Sequence, residues 1–236
     1  MMSGKARWAN NTTSNVFELL SRCGIKTHFI ERVGQTSFLA LECEMIPVKV
    51  VVRRIATGSF LKRIPKVADG TVFDKLVVEF FYKDDELHDP IIFIDSMNPE
   101  WWQLYDAHKP LDIRNIYKPE KNPSYIDTMG CYFTLEEARY IEEQSKQIFL
   151  ILEKAWQALG VTLWDFKIEF GRRKDNGKIV VADVIDNDSW QIRTKDGRQL
   201  DKRVYREGGE IKEVSNLYEI VSNLTNRFSS LSIDIQ

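Results

Sequence analysis

The stretch TLWDFKIEFG (162–171), followed by Asp175-Asn176-Gly177 and then KIVVADVID (178–186), decides how this chain is read. Asp165, Lys167 and Glu169 alternate with Phe166, Ile168 and Phe170. A period of two predicts a β-strand with the charges on one face and the apolar side chains on the other. The second segment is a β-branched run, and Asp-Asn-Gly between the two predicts a hairpin. A three-residue loop with Gly177 in the left-handed region would set Glu169 directly opposite Asp183, whereas a two-residue loop would send them to opposite faces.

Two carboxylates facing one another repel unless a cation lies between them, and Lys167 or a divalent ion would serve. Hard oxygen donors suit Mg²⁺, which binds through one or two carboxylates plus substrate phosphates. A solvated charge ladder on an open sheet face fits the alternation equally well. Asp186 and Asp188, which follow in DNDSW, favour a site.

Upstream, Thr134-Leu-Glu-Glu137 is a capping box, after which Ala138, Ile141, Ser145, Ile148, Leu152, Ala155 and Leu159 recur at helical spacing up to Gly160. Val16, Phe17, Leu19 and Leu20 predict a shorter amphipathic helix over 14–23, stopped by Gly24. THFIERV (27–33), TSFLALEC (36–43) and PVKVVVRRIA (47–56) read as successive strands of an antiparallel sheet, and LVVEFFY (76–82) follows. Between Pro90 and Gly130 no period is sustained, and the segment reads as an insertion over about residues 91–130, packed by Trp101, Trp102 and Tyr105. Residues 215–228 predict a closing helix.

The chain has 236 residues, 43% of them hydrophobic, enough for one large domain or two lobes. Its 33 Lys+Arg against 35 Asp+Glu leave no cationic field of the kind that nucleic acid or an anionic membrane would call for. Cys23, Cys43 and Cys131 form no CxxC pair, which points away from a disulfide framework or a zinc site and toward a reducing, cytoplasmic setting. The N-terminal MMSGKARWANNTTS lacks the apolar stretch of a signal peptide, and no later run reaches the ~18 apolar residues of a membrane span. The expectation is a soluble protein.

VVRRIATGSFLKR (51–63) leads from a strand through Thr57-Gly58-Ser59 into a short helix, and Arg53, Ser59 and the N–H groups there could hold a phosphate. FYKDDELHDP (81–90) gathers Lys83, Asp84, Asp85, His88 and Asp89, with His88 read as a turn residue. EMIPVKVVVRRIATGSFLKR, FYKDDELHDP and DFKIEFG…VVADVIDNDSW, in that order, resemble the signature blocks of SAICAR synthetase. The wording IATGSFLKR with DVIDNDSW is most similar to the animal bifunctional form, and the resemblance extends over about residues 4–90 and 131–225.

The resemblance implies an α+β, two-lobed nucleotide-binding fold with antiparallel sheets, similar to protein kinases. In it, residues 1–45 would belong to the ATP-binding lobe and 46–236 to a larger lobe for substrate and metal. It implies ATP and Mg²⁺ as cofactors, carboxyaminoimidazole ribonucleotide and L-aspartate as small-molecule partners, a homo-oligomer, and neither nucleic acid nor membrane. By position, Glu169 and Asp183 would be the Mg²⁺ ligands, Lys83, Asp165 and Lys167 catalytic groups, and Glu44-Met45 the hinge that hydrogen-bonds adenine. Arg53, Ser59 and Arg206 would contact phosphate and carboxylate. Gln191 stands where the family motif NDSWRLW has a substrate-binding arginine and would line the substrate site with Arg193, which two residues on could reach the same face. Met1 enters after the family's phosphate loop, roughly GKTKEVY, so Gly4-Lys5 is not that loop. A truncated, nucleotide-binding or oligomer-forming pseudoenzyme is the second reading. An unrelated Mg²⁺-dependent phosphotransferase, lacking HRD and DFG strings, is the third.

Overall fold

In CEMIPVKVVVRRI, alternate residues Ile46, Val48, Val50 and Val52 are all buried, and the run forms one 13-residue strand, β3 (Cys43–Ile55). The computed structural model describes residues 4–94, 102–112, 134–201 and 211–233. By contacts the chain divides into two units, one of Met1–Met45 with Gln147–Gln236 and the other of Ile46–Lys146. Residues 147–236 group with residues 1–45 and not with 46–146.

In the Ile46–Lys146 unit, β3 pairs antiparallel with β4 (Val72–Tyr82), with Val48 opposite Tyr82 and Arg53 opposite Val77. A short helix, α2 (Ser59–Arg63), lies between them in sequence, as IATGSFLKR led one to expect. The sheet continues through β5 (Ile91–Ile94) and β6 (Trp102–Tyr105), both antiparallel, with Phe81 opposite Ile91 and Ile91 opposite Tyr105. This corrects the expectation of an element-free insertion beginning at residue 91. Four-residue strands carry too little pattern to show in sequence, and these form because Phe81, Ile91 and Ala107 bury one another with Tyr105 against them. Tyr105 also meets Phe93 edge to face at 4.9 Å. Trp101 and residues 113–133 lie outside the described residues.

In the other unit, α1 (Lys5–Arg22) starts nine residues earlier than the apolar stripe predicts. Asn and Thr are poor helix formers because their side chains compete for the backbone. Here those side chains are engaged elsewhere. Asn11 donates to Ser222 Oγ at 2.8 Å, Asn15 to Thr225 Oγ1 at 3.1 Å, Asn10 to Gly34 O at 3.1 Å, and Thr13 Oγ1 to Ile185 O at 3.3 Å. β1 (Phe29–Arg32) and β2 (Phe38–Ala40) form a small two-stranded sheet of their own, shorter than the sequence runs and separate from the sheet of β3, which corrects the expectation of three successive strands in one sheet; Phe29 and Phe38 pack on Phe17 instead.

Helix α3 (Leu135–Ala158) opens on the expected capping box: Thr134 N–H donates to Glu137 Oε2 at 2.8 Å and Glu137 N–H to Thr134 Oγ1 at 3.2 Å. It ends at Gly160, whose φ of 75° is the left-handed value a glycine supplies without strain. β7 (Val161–Arg173) pairs antiparallel with β9 (Trp190–Thr194) along its first half and with β8 (Ile179–Ala182) along its second. α4 (Ile211–Thr225) and a 3₁₀ turn (Asn226–Ser230) close the chain near where the final helix was expected. Trp156 of α3, fully buried, sits edge to face with Trp190 at 5.2 Å and Phe228 at 5.0 Å, and so ties α3, β9 and the 3₁₀ turn together.

Candidate active site on the β7–β8 hairpin

The hairpin turns through four residues, not three. Gly177 N–H donates to Arg173 O at 2.8 Å and Arg173 N–H to Lys178 O at 3.0 Å, so Arg173 and Lys178 close the loop. Gly177 has the expected left-handed φ of 72°. Lys174 joins the loop because its own N–H is taken by Glu42 O at 3.0 Å and its ammonium by the Glu42 carboxylate. The register therefore differs from expectation: Glu169 lies opposite Ala182, and Asp183 is one residue out of step.

A strict strand would then send Asp183 to the opposite face from Glu169. It does not, because β8 ends at Ala182 and Asp183 takes φ 63°, a left-handed conformation that Asp tolerates better than most residues. Lys167 Nζ bonds Glu169 Oε1 at 2.6 Å and lies 3.8 Å from Asp183 Oδ2. The two carboxylates thus flank one ammonium. Glu169 is only 2% exposed and Asp165 5%, and Phe166, Ile168 and Phe170 on the other face are buried as well. Asp165 and Glu169 are thus withdrawn from water, unlike the charges of an open ladder, while Lys167 between them stays 35% exposed.

Asp165 accepts a hydrogen bond from Gln191 Nε2 at 3.0 Å across the β7–β9 pair. Trp164 is the bulged residue of that pair, between Leu163 and Asp165, and the Arg193 guanidinium lies 3.6 Å from its ring centroid. Arg193 is held on that ring by a cation–π contact. The loop after Asp183 is set by its own polar groups. Asp186 Oδ1 accepts the Asp188 N–H at 2.8 Å, Asn187 Oδ1 accepts Trp190 Nε1–H at 3.0 Å, and Asp188 receives Lys5 at 2.9 Å. Burial, with the Asp186 and Asp188 carboxylates nearby, raises the pKa of Tyr218, over whose ring Lys5 sits.

His28, which the sequence did not single out, lies behind this loop. Its N–H donates to Val181 O at 2.8 Å and its ring meets Phe17 and Phe38 edge to face. Burial lowers its pKa, an effect opposed by a hydrogen bond to the Asp183 backbone and by the Asp183 charge. A lone histidine in an apolar strand run was the available signal.

Glu44 and Met45, expected at the adenine hinge, present exposed side chains at the start of β3. A Cβ on Gly171 of β7 would lie 2.9 Å from Cys43 Cβ and 3.3 Å from both Glu44 O and Met45 Sδ. The glycine is there for close approach of the two backbones. Gly171→Ala is expected to displace Cys43–Met45, cost about 1–3 kcal/mol of stability and weaken nucleotide binding. Melting curves with and without Mg²⁺·ATP check this, and equal stabilisation of variant and parent by the nucleotide would count against a hinge at Glu44-Met45.

The remaining predicted residues lie in the Ile46–Lys146 unit. Arg53 is 3% exposed and its Nε donates to Glu79 Oε2 at 2.7 Å. Ser59 is the first residue of α2 and half-buried, and Lys83 is exposed, with its N–H donating to Pro47 O at 2.9 Å. Arg206 lies outside the described residues. Among the described residues no group of three or more His, Cys, Asp or Glu side chains gathers as a metal cage. No described helix is long and apolar enough to cross a membrane.

The SAICAR synthetase family model matches residues 1–222. A phosphoribosylaminoimidazole-succinocarboxamide synthase of Roseiflexus sp. (strain RS-1) is 39% identical over 233 residues, which cover 94% of this chain and 80% of that protein. The multifunctional protein ADE2 of Gallus gallus is 43% identical over 218 residues, covering 91% of this chain and 44% of that longer protein. A SAICAR synthetase (Type-2) solved in complex with ADP superimposes with a TM-score of 0.74 at 31% identity, over 99% of this chain and 84% of the other. The Pyrococcus horikoshii OT3 SAICAR synthetase gives 0.73 at 30% identity, over 98% and 86%. With a family model over most of its length and relatives this similar, the chain belongs to the SAICAR synthetase family.

Proposed function

We propose that the chain is an ATP-dependent ligase that joins L-aspartate to carboxyaminoimidazole ribonucleotide, producing SAICAR for purine biosynthesis in the cytosol. The observation that carries the reading is the placement of Glu169 and Asp183 on either side of the Lys167 ammonium. A carboxylate is a poor acyl electrophile, so the reaction needs an activated intermediate. An oxygen of the substrate carboxylate attacks the γ-phosphorus, the bond to the β,γ-bridging oxygen breaks, and ADP leaves. The aspartate amine then attacks the acyl carbon, the carbon–oxygen bond to phosphate breaks, and the nitrogen gives up a proton to leave an amide.

Glu169 and Asp183 are read as the holders of Mg²⁺. Two carboxylates aimed at one cationic centre fit an ion that takes its other ligands from water and phosphates. When bound, the ion supplies charge neutralisation at the phosphate oxygens. Lys167 keeps the two carboxylates converged on one point, and Asp165, fixed by Gln191, is a substrate-site carboxylate. Lys83 is read as neutralising charge on the transferred phosphoryl group, Glu44-Met45 as holding adenine, and Arg53, Ser59, Arg193 and Arg206 as contacts for substrate phosphate and carboxylate. Residues 1–45 and 46–236 are read as the functional lobes of a homo-oligomer.

The acyl phosphate leaves an isotopic signature. With the substrate carboxylate labelled with ¹⁸O, one labelled oxygen is expected in the released inorganic phosphate, because that oxygen stays on phosphorus when the acyl bond breaks. Unlabelled phosphate formed alongside product would overturn this route.

A further inference from the structure

LVVEFFY (76–82) carries one charge, Glu79, in an otherwise apolar run, and Glu79 is buried at 8% exposure. β3 and β4 set Val51 opposite Glu79, so Arg53, two residues along the same face, is its diagonal neighbour. Arg53 Nε donates to Glu79 Oε2 at 2.7 Å, and Arg63 Nη2, from α2, donates to the other oxygen, Oε1. Both guanidiniums are buried. Arg63 Nη1 also donates to Ala107 O at 3.0 Å, and its guanidinium lies 5.2 Å from the Phe81 ring centroid. One carboxylate therefore spans two arginines beside the apolar cluster of Phe81, Ile91 and Ala107.

Such a triad is an expensive way to gain stability. Desolvating three charges takes back most of what their attraction supplies, and apolar residues of the same size often do as well. What the triad supplies is orientation. A guanidinium whose Nε edge is bonded to a fixed carboxylate cannot rotate about its long side chain, and its planar fork loses less freedom on meeting a second anion. Arg63 fixes the carboxylate in turn, through a side chain locked by Ala107 and Phe81.

We propose that Glu79, backed by Arg63, is a positioning residue that holds Arg53 in the orientation that takes an anionic group of the imidazole nucleotide. The proposal rests on the reading of Arg53 as a substrate contact. It gives Glu79 and Arg63 a role in affinity for one substrate and none for Mg²⁺·ATP.

The test is calorimetric binding of the imidazole nucleotide and of Mg²⁺·ATP to the whole chain, well below each variant's melting temperature. Arg53→Ala should weaken the imidazole nucleotide by roughly 10–100-fold, the range for a lost charge-assisted hydrogen bond. Glu79→Gln should weaken it by about tenfold, leave Mg²⁺·ATP within about twofold, and add nothing in an Arg53→Ala background. Should Glu79→Gln fail to fold, Arg63→Lys is the variant to measure. It keeps the charge but lacks the two-armed fork that reaches both Glu79 and Ala107, and it should weaken the imidazole nucleotide alone. A folded Glu79→Gln or Arg63→Lys with parental affinity, or with equal losses for both ligands, overturns the positioning role while leaving Arg53 as a contact. Unchanged affinity in Arg53→Ala removes the substrate reading of Arg53 and the positioning role with it.

Discussion

Glu169→Gln is expected to lower product formation by at least about 10²–10³-fold, the scale seen when one electrostatic contact to a transition state is removed, while leaving the fold in place. The carboxylate is 2% exposed and bonded to Lys167 at 2.6 Å. Glutamine fills the same volume and still offers an oxygen to the ammonium, and Lys167 is 35% exposed, so water and Asp183 take up the remaining charge. Removing one buried charge also relieves its desolvation cost, which offsets the lost pairing. The melting temperature is therefore expected to shift by no more than about 4 °C, the equivalent of about 1 kcal/mol in a chain of this size. Product formation, melting and Mg²⁺ dependence measured on the same samples check this. Parental activity would remove Glu169 from the proposed site, and a collapse in melting temperature would make its role structural.

Trp156→Ala should have the opposite profile, with stability lost before any specific effect on the site. The side chain is fully buried and packs edge to face on Trp190 and Phe228, and aromatic-to-alanine truncation in a core costs about 3–5 kcal/mol. At about 2–4 °C per kcal/mol, that is a fall in melting temperature of roughly 6–20 °C. Trp156→Phe keeps an aromatic ring and should lose much less. Denaturant melts of the three proteins decide the matter, and a loss below about 1 kcal/mol in Trp156→Ala would mean that the site collapses around the missing ring.

Local signals carried the sequence reading where one residue type answers one physical need. The Thr134/Glu137 capping box, the left-handed Gly177, the helix stop at Gly160 and the strand along β7 all behave as expected, because each depends on neighbours within a few residues. Long-range partners settle the rest. The first half of α1 is helical because Asn11 and Thr13 find acceptors in α4 and in the loop after β8. β5 and β6 are too short to show a period.

The site shows both cases within one hairpin. Glu169, Asp183 and Lys167 were legible as a group, yet the register expected to join them was wrong by one residue, since Lys174 is drawn into the loop by Glu42. The left-handed turn at Asp183 restores the convergence, and no local rule forces a non-glycine residue into that conformation. Glu79 was not singled out in the sequence, because its two arginine partners come from β3 and α2 and only the folded chain brings them together.

The most direct test of the central claim is an assay of the 236-residue chain with Mg²⁺·ATP, carboxyaminoimidazole ribonucleotide and L-aspartate, following ADP and succinocarboxamide together. The account predicts ADP and SAICAR in equal amounts, with ADP release dependent on the imidazole nucleotide and SAICAR dependent on aspartate. Nucleotide binding without product would contradict it and leave the chain as a nucleotide-binding relative without ligase activity. No nucleotide binding even at millimolar concentration would contradict the account at its base.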